Sequence, residues 1–140
     1  MRIAAFLVGF VISLAPAIAQ DNPIVGVWRT QFRSPPDIWG MSVGLVVTSA
    51  FDASGNYRTE ILSEGGNGSE GAAGTFVDTG VYRFTPPDMI HYQRRSYVLC
   101  IFSGCQPARP LTPDVGDLKF DIVAPGQART GDGAEWTRIQ

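Results

Sequence analysis

Beyond residue 20, apolar and polar positions alternate with a period of two, the spacing that sends successive side chains to opposite faces of an extended strand. Ile24, Gly26, Trp28, Thr30 and Phe32 share one face, with Arg29, Gln31 and Arg33 on the other. Val43 to Phe51 reads as a second strand, and Asp52-Ala53-Ser54-Gly55-Asn56 turns the chain, its glycine open to a positive φ. Tyr57 to Ser63 returns as a third strand. A fourth, Thr75 to Thr85, aligns Phe76, Tyr82 and Phe84, and Pro86-Pro87-Asp88 turns it into a fifth, Met89 to Leu99. After a stretch spaced by Pro107, Pro110 and Pro113, Leu118, Phe120 and Ile122 alternate with Lys119, Asp121 and Val123. Pro125-Gly126 and Gly131-Asp132-Gly133 punctuate two short last strands that end at Trp136 to Ile139. No long segment of this region carries helical spacing free of glycine and proline. The fold class predicted is all-β: an antiparallel meander of about eight strands, which hides its edges by closing into a small barrel.

Residues 1–19 follow another pattern. Met1-Arg2 is a short positive end, Ile3 to Leu14 is almost unbroken apolar, Pro16 breaks the run, and Ala17-Ile18-Ala19 places small residues before Gln20. That order is the three-part pattern of a secretory signal peptide. The apolar run is shorter than the roughly 20 residues a spanning helix needs, so a cleaved leader over 1–19 and one domain over 20–140 are expected. No second long apolar run follows, and no membrane span is expected after cleavage.

Removing Arg2 with the leader leaves 10 basic against 13 acidic side chains, Lys119 being the sole lysine. Such a surface lacks the phosphate-neutralising footprint of a nucleic-acid binder and the polybasic patch of a membrane-surface protein. In an exported chain, Cys100 and Cys105 are expected to be oxidised to each other across Ile101-Phe102-Ser103-Gly104. Their four-residue spacing and strand-turn setting differ from the two-residue spacer at a helix start that redox-active dithiols use.

Gly26-Val27-Trp28 on the first strand resembles the Gly-x-Trp opening of lipocalin-like and avidin-like (calycin-type) barrels, and Trp136-Thr137-Arg138 resembles their closing strand. The resemblance implies that the last strand pairs beside the first and that Arg138, or Arg129, covers Trp28. It implies no particular ligand.

Phe76-Val77-Asp78-Thr79-Gly80 resembles the Asp-Thr-Gly of aspartic proteases, which need two such aspartates sharing a proton. This chain has one copy, and strand parity puts Asp78 on the Phe76 and Tyr82 face, as a barrel-lining carboxylate with Arg94 or a tyrosine hydroxyl as partner. Glu64 to Gly74 is glycine-rich but lacks the Gly-Lys-Ser/Thr ending of a phosphate loop, so it reads as a hairpin connection. His91, the sole histidine, cannot make a two-histidine zinc site, and no Gly-x-Ser-x-Gly elbow occurs. No catalytic residue, metal or cofactor is expected.

Binding remains. Ser34-Pro35-Pro36-Asp37-Ile38-Trp39-Gly40 joins the first two strands with apolar side chains where a polar loop is usual. Ile38 and Trp39 are expected either to form a lid over a pocket lined by Phe32, Asp78, Tyr82, Phe84 and Tyr92, or to cover the barrel end as core. The first alternative makes the protein a receptor for a small lipophilic molecule. In the other class of function, a protein-interaction module such as a protease inhibitor or an assembly accessory, contact runs through Glu64 to Gly74 or the Cys100–Cys105 turn around Phe102.

Overall fold

The computed structural model describes residues 22–33, 36, 38–40, 42–64, 74–101 and 103–140. The leader expected over residues 1–19, parts of the connection at 34, 35, 37 and 41, residues 65–73 and Phe102 therefore lie outside the described residues. The strands are β1 (Gly26–Arg33), β2 (Gly44–Phe51), β3 (Asn56–Glu64), β4 (Thr75–Thr85), β5 (Met89–Ile101), β6 (Gly104–Pro107), β7 (Val115–Ala124), β8 (Gln127–Thr130) and β9 (Glu135–Arg138). Each pairs antiparallel with its neighbours, and no helix occurs among the described residues. The order β1-β2-β3-β4-β5-β7-β8-β9 returns to β1, so eight strands close a barrel, and β6 is an extra strand folded back on the end of β5.

The proline-spaced stretch thus begins with a strand that its composition hides. Gly104, at φ 121°, turns the chain so that Cys100 sits opposite Cys105, and the two are disulfide-bonded. The staple closes a hairpin at the end of a sheet and adds no interior surface, since β6 is exposed throughout.

The barrel does not close evenly. β9 reaches β1 only at Trp28 and Arg29, whereas β2 flanks β1 along all eight residues. In the closed half the interior is solid: Ile24, Trp28, Phe51, Tyr57, Tyr82, Ile90, Phe120 and Ala128 form the buried core, with Leu118, Ile122 and Trp136 packed on it. Trp28 and Phe120 meet edge-on at 5.2 Å between ring centres, and Phe51 meets Tyr82 at 5.0 Å. The chain before β1 plugs this end. Ile24 is fully buried, its carbonyl accepts the Trp28 indole N–H at 2.8 Å, and Asn22 donates to the Tyr82 hydroxyl at 3.3 Å. Over the same tryptophan, opposite it in the β1–β9 ladder, lies the Arg138 guanidinium, 5.9 Å from the ring centre, which also donates to the Val25 carbonyl. Of the two candidates, Arg138 and not Arg129 covers Trp28; Arg129 pairs with Glu135 on the exposed face.

Between β4 and β5 the register slips by one. Thr79 faces Ser96 while Gly80 faces Arg94, which leaves Arg95 unpaired and exposed. Such a bulge interrupts the inside-outside alternation. Before it Ile90, Tyr92 and Arg94 share the inner face; beyond it Tyr97 takes that face, and the Arg94 guanidinium lies 5.3 Å from the Tyr97 ring centre. Two side chains three residues apart therefore meet inside one strand, which strict alternation forbids.

Candidate functional site

Above the solid half the interior opens into a cavity of about 320 Å³. Its apolar side is the upper surface of the core: Phe51, Tyr57, Ile90, Tyr92 and Leu118. Ser49, Thr59, Asp78, Arg94, Thr112 and Asp117 complete the lining.

Register explains the convergence. Ser49 of β2 faces Thr59 of β3, and Thr59 faces Asp78 of β4, so three polar side chains form a rung across adjacent strands. The Ser49 and Thr59 hydroxyls are 2.8 Å apart and share a hydrogen bond. Asp78 Oδ1 accepts from the Tyr57 hydroxyl at 2.9 Å and from Arg94 Nε at 3.0 Å, and Oδ2 accepts from Arg94 Nη2 at 2.8 Å. The Asp78–Arg94 pair is bidentate, and its side chains are only 14% and 6% exposed. Pairs of this geometry are strong because both hydrogen bonds are charge-assisted.

Arg94 does more than neutralise Asp78. Its Nη1 donates to the Thr112 and Pro113 carbonyls at 3.0 and 3.1 Å and reaches Asp114 Oδ1 at 3.3 Å, while Nη2 also donates to Thr112 Oγ1 at 2.9 Å. Its backbone N–H donates to the Asp114 carbonyl. One side chain thereby ties the segment between β6 and β7 onto the barrel as a wall of the cavity. Every N–H of the guanidinium has an acceptor within the protein. The hydrogen bond to Asp78, above all, raises the Arg94 pKa further beyond its already high value.

Burial and then the hydrogen bond to Asp78 push the Tyr57 phenol well above its ordinary pKa. Burial raises Tyr82, with the Asp52 charge adding to it, and burial followed by the Asp78 charge raises Tyr97. A raised folded-state pKa means that the stabilising share of these phenols is complete below the unfolded value, about pH 10, and is lost as pH climbs through the folded values. In an alkaline titration followed by phenolate absorbance, these three of the four tyrosines are expected to stay protonated beyond pH ~10 until the barrel opens. Ionisation of all three near that pH with the fold intact would contradict the site as described.

Gly80 makes room for the cluster. A Cβ there would stand 2.2 Å from the Gln93 carbonyl oxygen, 2.7 Å from Tyr57 Cε1 and 3.0 Å from Arg94 Cα. Two of these neighbours are backbone and cannot swing away. Gly80→Ala is expected to cost about 1–3 kcal/mol through overpacking, seen as a lower urea midpoint with an unchanged m-value.

The expected pocket residues divide. Asp78 and Tyr92 line the cavity. Tyr82 does not: it belongs to the solid half, where its hydroxyl donates to the Asp52 carbonyl at 2.7 Å. Phe84, one step further along β4, packs on the same core. Phe32 is 48% exposed at the far end of β1, where it lines a separate groove with Gln31, Arg33 and Leu45. Neither lid nor end-core describes Ile38 and Trp39, which are 91% and 81% exposed. The cavity is instead walled by the segment before β7, through Thr112.

Sequence reading missed Ser49, Thr59, Thr112 and the wall they build. Thr59 and Ser49 carried the right parity, but small hydroxyl residues on a strand do not announce a site. It also missed a chain that runs from the lining residue Asp117 across the strands. His91 Nδ1 meets Asp117 Oδ1 at 2.5 Å and Nε2 meets Thr85 Oγ1 at 3.1 Å, in the order hydroxyl, imidazole, carboxylate. Thr85 and Asp117 are exposed to water, where preorganised charge acts weakly. The trio is a cross-strand surface link between β4, β5 and β7. No group of three or more His, Cys, Asp or Glu side chains able to hold a metal occurs among the described residues.

Among known proteins, no family model matches this chain and no curated protein matches it. The class is therefore set by geometry alone: a closed, eight-stranded antiparallel β-barrel with one stapled extra strand, solid at one end and hollow at the other.

Proposed function

We propose that the protein is an exported, non-enzymatic barrel of lipocalin-like type that holds a small, largely apolar molecule in its interior. The observation that carries this reading is the division of the barrel. Its lower half is packed solid, while the upper half keeps a cavity of about 320 Å³ floored by Phe51, Tyr57, Ile90, Tyr92 and Leu118. Ligand sites are concave, mainly apolar and furnished with a few placed polar groups. Trp28 beneath Arg138 at the β1–β9 seam favours the lipocalin-like type. The leader pattern over 1–19 and the oxidised Cys100–Cys105 pair favour export. A non-enzymatic role is favoured by a polar cluster whose charged members, Asp78 and Arg94, are paired with one another.

The test is native mass spectrometry of the mature protein purified gently from its exporting compartment, with organic extraction of whatever it carries. A discrete added mass is expected, absent from Ser49→Phe, whose ring would occupy the cavity while circular dichroism stays unchanged. A protein that emerges empty, and takes up no apolar probe afterwards, would end this reading.

A second reading has its own support. Phe32, Ile38, Trp39, Val43 and Ile101 are large exposed apolar side chains at strand ends and connections on the hollow side. Exposed apolar side chains at such positions favour contact sites, and a protein partner bound through these connections is the alternative. Loss of capture with Trp39→Ala or Phe102→Ala, with cargo unaffected, would favour it.

A further inference from the structure

The chemistry of the cavity wall says what kind of molecule it suits. Among the described residues the only cationic side chain lining it is Arg94, and every guanidinium N–H is already donated to Asp78, Thr112 or Pro113. To grip a carboxylate, sulfate or phosphate, Arg94 would have to abandon a buried ion pair or release the wall at Thr112. Asp78, for its part, already holds Arg94 and the Tyr57 proton, so it offers no unneutralised charge to a cationic ligand. Asp117, the remaining carboxylate, is 65% exposed and engaged by His91. An anionic ligand entering here would lose its hydration without gaining a counter-charge, and a cationic one would meet a carboxylate not held by an arginine only at the water-exposed Asp117, where pairing is weak.

One polar feature is still open. Ser49 and Thr59 share a single hydrogen bond, in which one hydroxyl donates and the other accepts. The accepting hydroxyl keeps its own proton, and both oxygens keep lone pairs. This pair lies in the lining, with Ser49 only 5% exposed, and a hydroxyl or carbonyl on a ligand can complete it. The volume equals roughly ten waters in the liquid, which suits a fused two-ring skeleton.

We propose that the cavity selects a neutral, compact, mostly apolar molecule bearing one hydrogen-bonding head group, seated against the Ser49–Thr59 hydroxyl pair. The proposal rests on the ligand-carrying reading and goes further by fixing charge, size and the anchoring residues.

A matched series of naphthalenes tests it by calorimetry on the mature, disulfide-intact protein. 2-Naphthol is neutral with a hydroxyl, 2-methylnaphthalene is neutral without one, and 2-naphthoate carries the charge. 2-Naphthol is expected to bind about five- to tenfold more tightly than 2-methylnaphthalene, the worth of one hydrogen bond, and at least ~10-fold more tightly than 2-naphthoate. In Ser49→Ala/Thr59→Val, which keeps shape and removes both hydroxyls, the gap between the first two compounds is expected to close. Equal affinity of 2-naphthol and 2-methylnaphthalene for the native protein would overturn the head-group assignment. Preference for 2-naphthoate would overturn neutrality while leaving a ligand-carrying barrel intact. Binding of none of the three would refute both together. The comparison among ligands on the native protein stands even if the double variant fails to fold.

Discussion

Arg94→Met is expected to cost about 3–5 kcal/mol, because it strands Asp78 as a buried carboxylate without its counter-charge. For a domain of about 120 residues this corresponds to a fall in Tm of roughly 12–20 °C. The same substitution unties Thr112 and Pro113, so cavity binding should fail before the fold does. Removing the partner as well separates the two causes. Replacing a buried ion pair with apolar groups of similar volume is often neutral, so Arg94→Met/Asp78→Leu should recover much of the loss. Tyr57→Phe added to it should recover more, since the phenol has by then lost the carboxylate it donates to. Denaturant melts of the single, double and triple variants decide the matter. A single variant costing less than ~1 kcal/mol, or a triple as weak as the single, would show that the pair does not behave as a buried one.

The second large effect is at the plugged end. Trp28 is 1% exposed, packs edge-on against Phe120 and donates its indole N–H to the Ile24 carbonyl. Trp28→Ala is expected to cost about 3–5 kcal/mol, the usual range for emptying a large aromatic site. That is a large share of the ~5–15 kcal/mol by which a domain is stable. Trp28→Phe keeps a ring against Phe120 but leaves the Ile24 carbonyl without its donor, and should cost visibly less. Thermal unfolding of both variants checks the order. The two predictions address different halves of the molecule. Arg94→Met should impair ligand uptake at temperatures where the protein is folded, whereas Trp28→Ala should act through stability alone.

Much of the fold was legible. The period-two pattern set the strands from β1 to β5 almost to the residue, because an antiparallel wall with one wet face writes its topology into alternation. Asp78 inside the barrel followed from parity with Phe76 and Tyr82, and the Asp78–Arg94 and Asp78–Tyr57 contacts are of the kind parity leads one to expect. What alternation could not reveal was where it breaks. The unpaired Arg95 looks like half of an ordinary Arg-Arg pair, yet it changes which residues of β5 face inward. β6 was hidden by its glycine and proline and depends on pairing with Val98–Ile101. Trp39 misled for the opposite reason: apolarity in a connection suggests burial, yet this side chain is 81% exposed. Tyr82 and Phe84 had the right face but the wrong height, since strand periodicity gives no measure of position along the barrel axis.

The one-residue slip opposite Gly80 has a consequence for reading this chain. β5 is written in two frames: even-numbered residues from Ile90 to Arg94 speak to the interior, and beyond Arg95 the odd-numbered Tyr97 does. An alignment or a redesign that carries one frame through the whole strand will invert its second half, exchanging lining for outer surface while every residue identity still looks reasonable.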